Sequence, residues 1–393
     1  MQRSASSSGG GGNALVQERD TIRKMRAGAA FTLVAALLIV SGCASHRAVV
    51  TIASLPERHL VLISADSGAV QRGFPSLSLD KAVYGAVSDG HGGWFVAGGL
   101  GLARLRPDGR LDPNWRARPS VDFVACLLIR SDSRLYVEGS ERVEAFDAKT
   151  GARLWEGPRI ARTQAGICNA TVQALAASAA RVYVGGNFTR IGGVARRSLA
   201  ALDAPTGRLL AWRSPPLRNG DDSTHYVTAL ALAGSRLYVG GVFSSVGGQP
   251  RVSLVALEPR TGALLSWKRV NGGDANGDVD TILVTHGQVI TAGHDGFGAT
   301  DNHTGRPLAW TTRLGGVAST FAVDGPLVYL GGDLRNSLES VAGRPRNNLA
   351  ALNLTTGHFT TWGPNLAPYV SVGAIVPSGN KVLVLGTFTT TVG

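Results

Sequence analysis

One unit recurs along this chain, and it limits the possible folds more than any other feature. Residues 182–193 read VYVGGNFTRIGG, 237–248 read LYVGGVFSSVGG, and 382–393 read VLVLGTFTTTVG. The first two copies continue into LAALDAPTGRLLAW (199–212) and LVALEPRTGALLSW (254–267), and the third has nothing after it. The full unit is an apolar strand, a polar turn, a second strand ending in paired glycines, a loop, a third strand, a turn ending in Thr-Gly, and a short strand ending in Trp. The clearest copies span 172–212 and 227–267, 55 residues apart at every matched position, and looser ones span 82–115, 121–155, 279–310 and 317–362. Their apolar residues alternate or run continuously, as in half-buried or fully buried strands.

Four short strands per 35–55 residues, closed by an aromatic, predict an all-β chain of β-propeller blades. A lone four-stranded sheet leaves both faces wet, whereas radial stacking covers them. The ring is expected to hold seven four-stranded blades over residues 60–393. Residues 60–74, LVLISADSGAVQRGF, match the outer half of a unit, and the C-terminus carries the inner half. N-terminal outer strands and C-terminal inner strands are therefore expected to close one blade together. Trp115, Trp155, Trp212, Trp267, Trp310 and Trp362, with Phe74 in the split unit, are expected to wedge between blades. The paired glycines Gly185–Gly186 and Gly240–Gly241 are expected to supply unusual backbone angles at the end of the second strand.

The phrase LARLRPDGRLDPNW (102–115) resembles the delta-60 repeat of bacterial surface and secreted proteins. LYVGGVFSSVGG with LVALEPRTGALLSW is similar to β-propeller repeats of bacterial lipoproteins. The ALDxxTGxxxxW portion resembles the PQQ-like repeat of quinoprotein dehydrogenases and of the lipoprotein propeller in the outer-membrane protein assembly machinery. The resemblance implies a propeller and leaves the ligand open, because the repeated residues are those that build blades.

Residues 23–43, RKMRAGAAFTLVAALLIVSGC, read as a targeting signal: three basic residues, then a 14-residue apolar run, shorter than the ~20 residues a membrane span needs. VSGC (40–43) resembles the lipobox of bacterial lipoproteins, which implies lipidation of Cys43 and cleavage before it. The domain reading is a low-complexity extension (1–24) upstream of a candidate start at Met25, a signal peptide (25–42), a lipid-anchored linker (43–59) and the propeller. This predicts an extracytoplasmic, membrane-anchored protein, periplasmic or on the cell surface.

The formal charge is +12, but only five lysines stand beside 34 arginines, so coding bias accounts for much of it. A location outside the cytoplasm argues against nucleic acid as partner. The loops between second and third strands, together with the links between blades, are predicted to share one face and are long; the turns at the opposite face are short. That long-loop face collects Arg190, Arg196, Arg197, Arg251, Arg335, Arg344 and Arg346, beside Asp221, Asp222, Asp274 and Asp278. It is the candidate binding face, since long loops on a rigid frame commonly carry function.

Chemistry is hard to find. A quinoprotein enzyme would carry adjacent cysteines against its cofactor, whereas Cys126 and Cys168 are 42 residues apart. They form a candidate disulfide between neighbouring inner strands in an oxidising compartment. HDGFGATDNH (294–303) holds two His and two Asp, but the repeat places His294 and Asp295 at one end of a strand and Asp301 at the other. DANGDVD (274–280) alternates Asp274, Asn276, Asp278 and Asp280 as calcium loops do, with Val279 where a glycine belongs, so it is a weak Ca2+ candidate and otherwise a solvated turn. No nucleophile elbow or triad spacing occurs. The expected function is a non-catalytic binding or scaffold module without a cofactor, for a protein or envelope ligand. A polysaccharide-binding propeller and a redox enzyme with a site in the central channel are the alternatives.

Overall fold

The computed structural model describes residues 58–70, 83–98, 101–120, 124–131, 133–139, 141–161, 172–220, 225–270, 279–293, 296–308, 317–333, 348–364 and 371–388. These belong to one compact unit, which takes in Pro56–Gly393; the other, Met1–Ala35 with Ala48–Leu55, lies outside the described residues. Among the described residues there are strands and no helix.

The strands form small antiparallel sheets in chain order. Sheet 1 is Val83–Ser88, Trp94–Gly98 and Gly101–Leu105; sheet 2 is Val124–Ser131, Arg134–Gly139, Arg142–Asp147 and Arg153–Glu156. Sheet 3 is Val172–Ala177, Arg181–Gly186 and Leu199–Asp203; sheet 4 is Tyr226–Ala233, Arg236–Val242, Leu254–Leu257 and Leu264–Lys268. Sheet 5 is Thr281–Thr285, Gln288–Gly293 and Gly296–Asp301; sheet 6 is Val317–Asp324, Leu327–Asp333 and Leu349–Asn353. Sheet 7 joins the two ends of the chain. Its first two strands are Ser371–Ser378 and Lys381–Phe388, and its third is Arg58–Ser64, in register from Leu60↔Leu385 to Ser64↔Lys381.

Each first strand lies beside the first strand of the next sheet, and Ser371–Ser378 lies beside Val83–Ser88. Second strands are therefore covered by their own sheet at both edges and by neighbouring sheets at both faces. This is why their sequences are unbroken apolar runs: all but the first residue of Arg181–Gly186 is buried. The core is a set of layers between sheets, such as the one in which Tyr136, Val143 and Ala145 of sheet 2 meet Val172, Leu175, Val182 and Val184 of sheet 3.

The paired glycines divide. Gly241, at φ 158°, has the unusual backbone expected, whereas Gly185 and Gly240 take ordinary strand backbone and are absent from the positive-φ residues. What they lack is room. A Cβ on Gly185 would lie 2.5 Å from Cγ1 of Val227, one on Gly240 2.6 Å from Cγ1 of Val279, and one on Gly331 2.6 Å from Cγ1 of Val372. In each case the obstacle is the start of the next sheet's first strand. A bulge in the first strand of the glycine's own sheet lies opposite each of these three glycines, with register shifts at Val172/Ala174, Val227/Ala229 and Ala318/Thr320.

The fourth strands also differ from expectation. Among the described residues only sheets 2 and 4 have a hydrogen-bonded fourth strand; sheets 1, 3, 5, 6 and 7 have a single bridge there, as at Leu202↔Leu209 and Leu352↔Phe359. In sheets 3 and 6 bends at Ala211 and Thr361 follow the bridge and precede Trp212 and Trp362.

That Trp meets the Thr-Gly turn. In Asp147–Gly151 the Asp147 carboxylate accepts from the backbone N–H of Lys149 and Thr150 and from the Thr150 hydroxyl, and Gly151 sits at φ 78°. The Thr150 hydroxyl bond, with the backbone bonds, holds the Asp147 carboxyl below the usual carboxylate range. The same turn recurs at Asp203, Glu258, Asp301 and Asn353. Trp115 donates to the Ala148 carbonyl at 2.9 Å, Trp155 to Ala204 at 2.8 Å, and Trp267 to Asp301 at 3.4 Å, each at the turn of the following sheet. Rings of the same sheet brace them: Tyr238 lies edge-on to Trp267 with centroids 5.1 Å apart.

Candidate functional site

The second-to-third loops of sheets 3 and 4 are folded hairpins. Arg190–Ile191 pairs with Val194–Ala195, and Ser245–Val246 with Gln249–Pro250. Each turns on two glycines with positive φ, Gly192 (56°) with Gly193 (79°) and Gly247 (59°) with Gly248 (77°), the backbone a two-residue hairpin requires. Phe188 and Ile191 root the first hairpin in the core, and Phe243 and Val246 root the second. Ser198 and Ser253, at φ 60° and 57°, carry the chain back into the third strand, donating from backbone N–H to the carbonyls of Phe188 and Phe243.

The link that enters each sheet is stitched to that sheet's hairpin. Ile160–Ala161 pairs with Arg190–Ile191, and Leu217–Arg218 pairs with Ser245–Val246. Links and hairpins therefore form small three-stranded sheets on one side of the frame. The short turns cluster at the other end of the strands, where Ala204 N–H donates to the Ala180 carbonyl and Leu354 N–H to Pro326. The GG pairs at 192–193 and 247–248 were the sequence signal for hairpins at positions read as loops.

The arginines of this face divide. Arg190 is exposed and donates to the Gly193 carbonyl at 2.6 Å, bracing its own turn. Arg197 is exposed. Arg196, grouped with them by sequence, is only 7% exposed and donates to the carbonyls of Ala195 and Leu210 at 2.9 and 3.2 Å. Burial, with Arg213 nearby, lowers its pKa from the ordinary arginine value. Arg196 ties the hairpin to the outer segment and offers nothing to a partner. Arg251 is half-buried and bonds the Pro250 carbonyl and Gln249 Oε1.

Cys43, Phe74, Cys168, Asp221, Asp222, Asp274, Asn276, Asp278, His294, Asp295, Trp310, Arg335, Arg344 and Arg346 lie outside the described residues. Cys126 falls in the strand Val124–Ser131, but its side chain lies outside them. Asp280 donates its backbone N–H to the Ala292 carbonyl at the head of sheet 5. Asp301 is spent on its turn, accepting from the Thr304 N–H at 2.6 Å, the Thr304 hydroxyl at 2.8 Å and the His303 N–H at 3.0 Å; the Thr304 backbone bond leads in holding its carboxyl low. No group of three His, Cys, Asp or Glu side chains that could hold a metal occurs among the described residues.

The sequence reading missed Glu138. It stands in LYVEG (135–139), where sheets 3 and 4 have VYVGG and LYVGG, and the departure of one carboxylate from the glycine pattern was the available signal. Glu138 is 4% exposed, and burial raises its carboxyl from 4.5 to about 8.

The profile of the family described as outer membrane protein assembly factor BamB matches residues 91–219 and 195–362. The chain belongs to that family. Its repeat is a PQQ-like propeller repeat, and the family's two matched stretches take in sheets 2 to 6 whole. No curated protein matches the chain in sequence. Among solved structures, U3-55K is similar with a TM-score of 0.51 at 12% identity over 78% of this chain and 96% of that one. BamB from Moraxella catarrhalis has a TM-score of 0.45 at 16% identity, covering 79% and 86%. The WD40 β-propeller domain of Doa1 has 0.49 at 11%, covering 80% and 94%. The likeness to U3-55K is one of fold alone.

Proposed function

We propose that the seven sheets are the blades of a closed propeller, lipid-anchored through Cys43 outside the cytoplasm, which works as a non-catalytic docking scaffold for an envelope protein. The supporting observation for the working face is the stitching of links to hairpins at Ile160–Ala161 and Leu217–Arg218. It presents Arg190 and Arg197 on a preorganised surface, so a partner pays little ordering entropy on docking. Membership of a family described as outer membrane protein assembly factor supports an envelope setting and a protein partner. In support of closure, the third place in sheet 7 is filled by Arg58–Ser64, leaving no open ladder on Lys381–Phe388.

Photo-crosslinking side chains placed singly at 190, 197 and 251, and for contrast at 205 and 235 on the short-turn face, test the reading in intact cells. Capture of one envelope protein from the first set is expected. Capture from the second set alone would assign the work to the opposite face. Capture of polysaccharide in place of protein would replace the scaffold reading with the carbohydrate one.

A further inference from the structure

The residue before the last glycine of the second strand is Ala97, Gly185, Gly240, Ala292, Gly331 and Leu385 in sheets 1, 3, 4, 5, 6 and 7. All are small or apolar, because the next sheet lies against them. In sheet 2 this residue is Glu138. Its cross-strand partner is Val143, and Tyr136 lies two residues before it on the same face. Both belong to the apolar layer shared with Val172 and Leu175 of sheet 3. The carboxyl is thus aimed into the seam between sheets 2 and 3. The ladder beside it is interrupted: pairing runs from Val124↔Gly139 to Leu128↔Val137 and skips Glu138.

Among the described residues Glu138 has no hydrogen-bond or ion-pair partner. Nearby charges are engaged elsewhere. Glu144 accepts from the N–H and hydroxyl of Ser120, Arg142 donates to the Gly157 carbonyl and pairs with Glu156, and Arg159 pairs with Glu141. Arg153 pairs with Glu144 and Glu156. On the first strand of sheet 2 the only ionisable groups are Cys126 and Arg130, and on its second strand Arg134 lies at the far end from Glu138. Val172–Ala177, the facing strand of sheet 3, contains no ionisable residue. A buried carboxylate without a partner is costly, and a protonated one is tolerable.

We propose that the seam between sheets 2 and 3 is a proton-controlled joint, closed while Glu138 carries its proton and loosened when it loses it. Opening exposes the carboxyl to water and releases the proton, so rising pH favours the open seam. The bias grows about tenfold per pH unit between 4.5 and about 8 and levels off above. The same layer contains Ile160, Phe188 and Ile191, which root the first link and hairpin, so loosening reaches the docking face. That last step rests on the scaffold reading; the joint itself does not.

Hydrogen exchange on the mature full-length protein tests it, with each peptide corrected for intrinsic exchange and referred to its counterpart at the seam between sheets 3 and 4. Peptides covering Arg134–Gly139 and Val172–Ala177 are expected to lose about thirtyfold in protection between pH 6.5 and 9.5 relative to Arg181–Gly186 and Tyr226–Ala233. Glu138→Gln should abolish that difference while keeping the fold, and Glu138→Gly, the residue used in sheets 3, 4 and 6, serves if the amide variant fails to fold. Infrared difference spectra give a second readout: a protonated-carboxyl band at pH 6.5 in the natural protein, absent from either variant. Equal pH dependence in the natural protein and the variants, or no such band, would overturn the proposal, and neither result bears on which face docks a partner.

Discussion

The indole nitrogen of Trp362 donates to the carbonyl oxygen of Ser64 at 3.0 Å, across 298 positions of sequence. It is the contact that Trp267 makes to Asp301, here made between the last Trp of sheet 6 and the N-terminal strand of sheet 7. Gly68, at φ 71°, receives the same Trp: a Cβ there would lie 3.0 Å from the Gly363 nitrogen and 3.5 Å from Cδ1 of Trp362. The N-terminal strand is thus held at its edge by Lys381–Phe388 and at its turn by sheet 6.

Deletion of residues 60–75 removes this strand and its turn. It bares the ladder of Lys381–Phe388 and leaves Trp362 without its acceptor, and an exposed apolar strand edge recruits other chains. The deleted protein is expected to aggregate or lose its cooperative melt. Size-exclusion chromatography and thermal unfolding read the result; a monomer that melts like the intact protein would contradict it.

Trp155 and Trp212 are chemically alike and should differ in response. Trp155 donates to Ala204, whereas Trp212 Nε1 is buried with no acceptor because the Tyr183 hydroxyl takes the corresponding carbonyl of Pro259 at 2.8 Å. Either Trp→Ala substitution should cost about 3–5 kcal/mol. Trp→Phe should cost about 1 kcal/mol more at 155 than at 212, where no hydrogen bond is lost. Urea midpoints at constant slope decide it.

Gly185 and Gly248 separate two uses of glycine. Gly185→Ala should cost about 1–3 kcal/mol through collision with Val227. Gly248→Ala meets open space but a φ of 77°, and should cost about 1 kcal/mol. Adding Val227→Ala should recover part of the first loss and none of the second, as a double-mutant cycle by denaturant unfolding would show.

Stability should carry the mark of Glu138. Its folded-state pKa, about 8, lies above the 4.5 of the exposed carboxyl, so the folded state holds a proton that the unfolded state gives up. The contribution is neutral below 4.5 and becomes unfavourable as pH rises to about 8, by at most about 1.4 kcal/mol per pH unit. Glu138→Gln is expected to be nearly neutral at pH 5 and stabilising at pH 8.5. Denaturant midpoints at the two pH values test this, and a constant difference between the proteins would contradict it.

Cys43→Ser should move the protein from the membrane fraction to the soluble fraction or leave it unprocessed. Fractionation with intact-mass measurement checks the outcome, and unchanged retention at the normal mature mass would remove the anchor from the proposed function.

The sequence alone determined the repeat unit, the all-β class and the halves of a unit at the two ends, because each is written in local periodicity and turn chemistry. The Thr-Gly turn is legible residue by residue: an acceptor at its start, a hydroxyl three positions on, a glycine where φ must be positive. The meaning of Gly185 and Gly240 was decided only by the tertiary structure, since a strand glycine that makes room for Val227 or Val279 looks, in one dimension, like a glycine that turns the chain. Arg196 and Arg197 are adjacent and alike in sequence, yet the docking of the hairpin on the outer segment buries one and leaves the other exposed. Glu138 was visible as a letter out of pattern, but its chemistry depends on dielectric and distance. Both are set by a sheet that begins more than thirty residues later and is brought against it only when the chain folds.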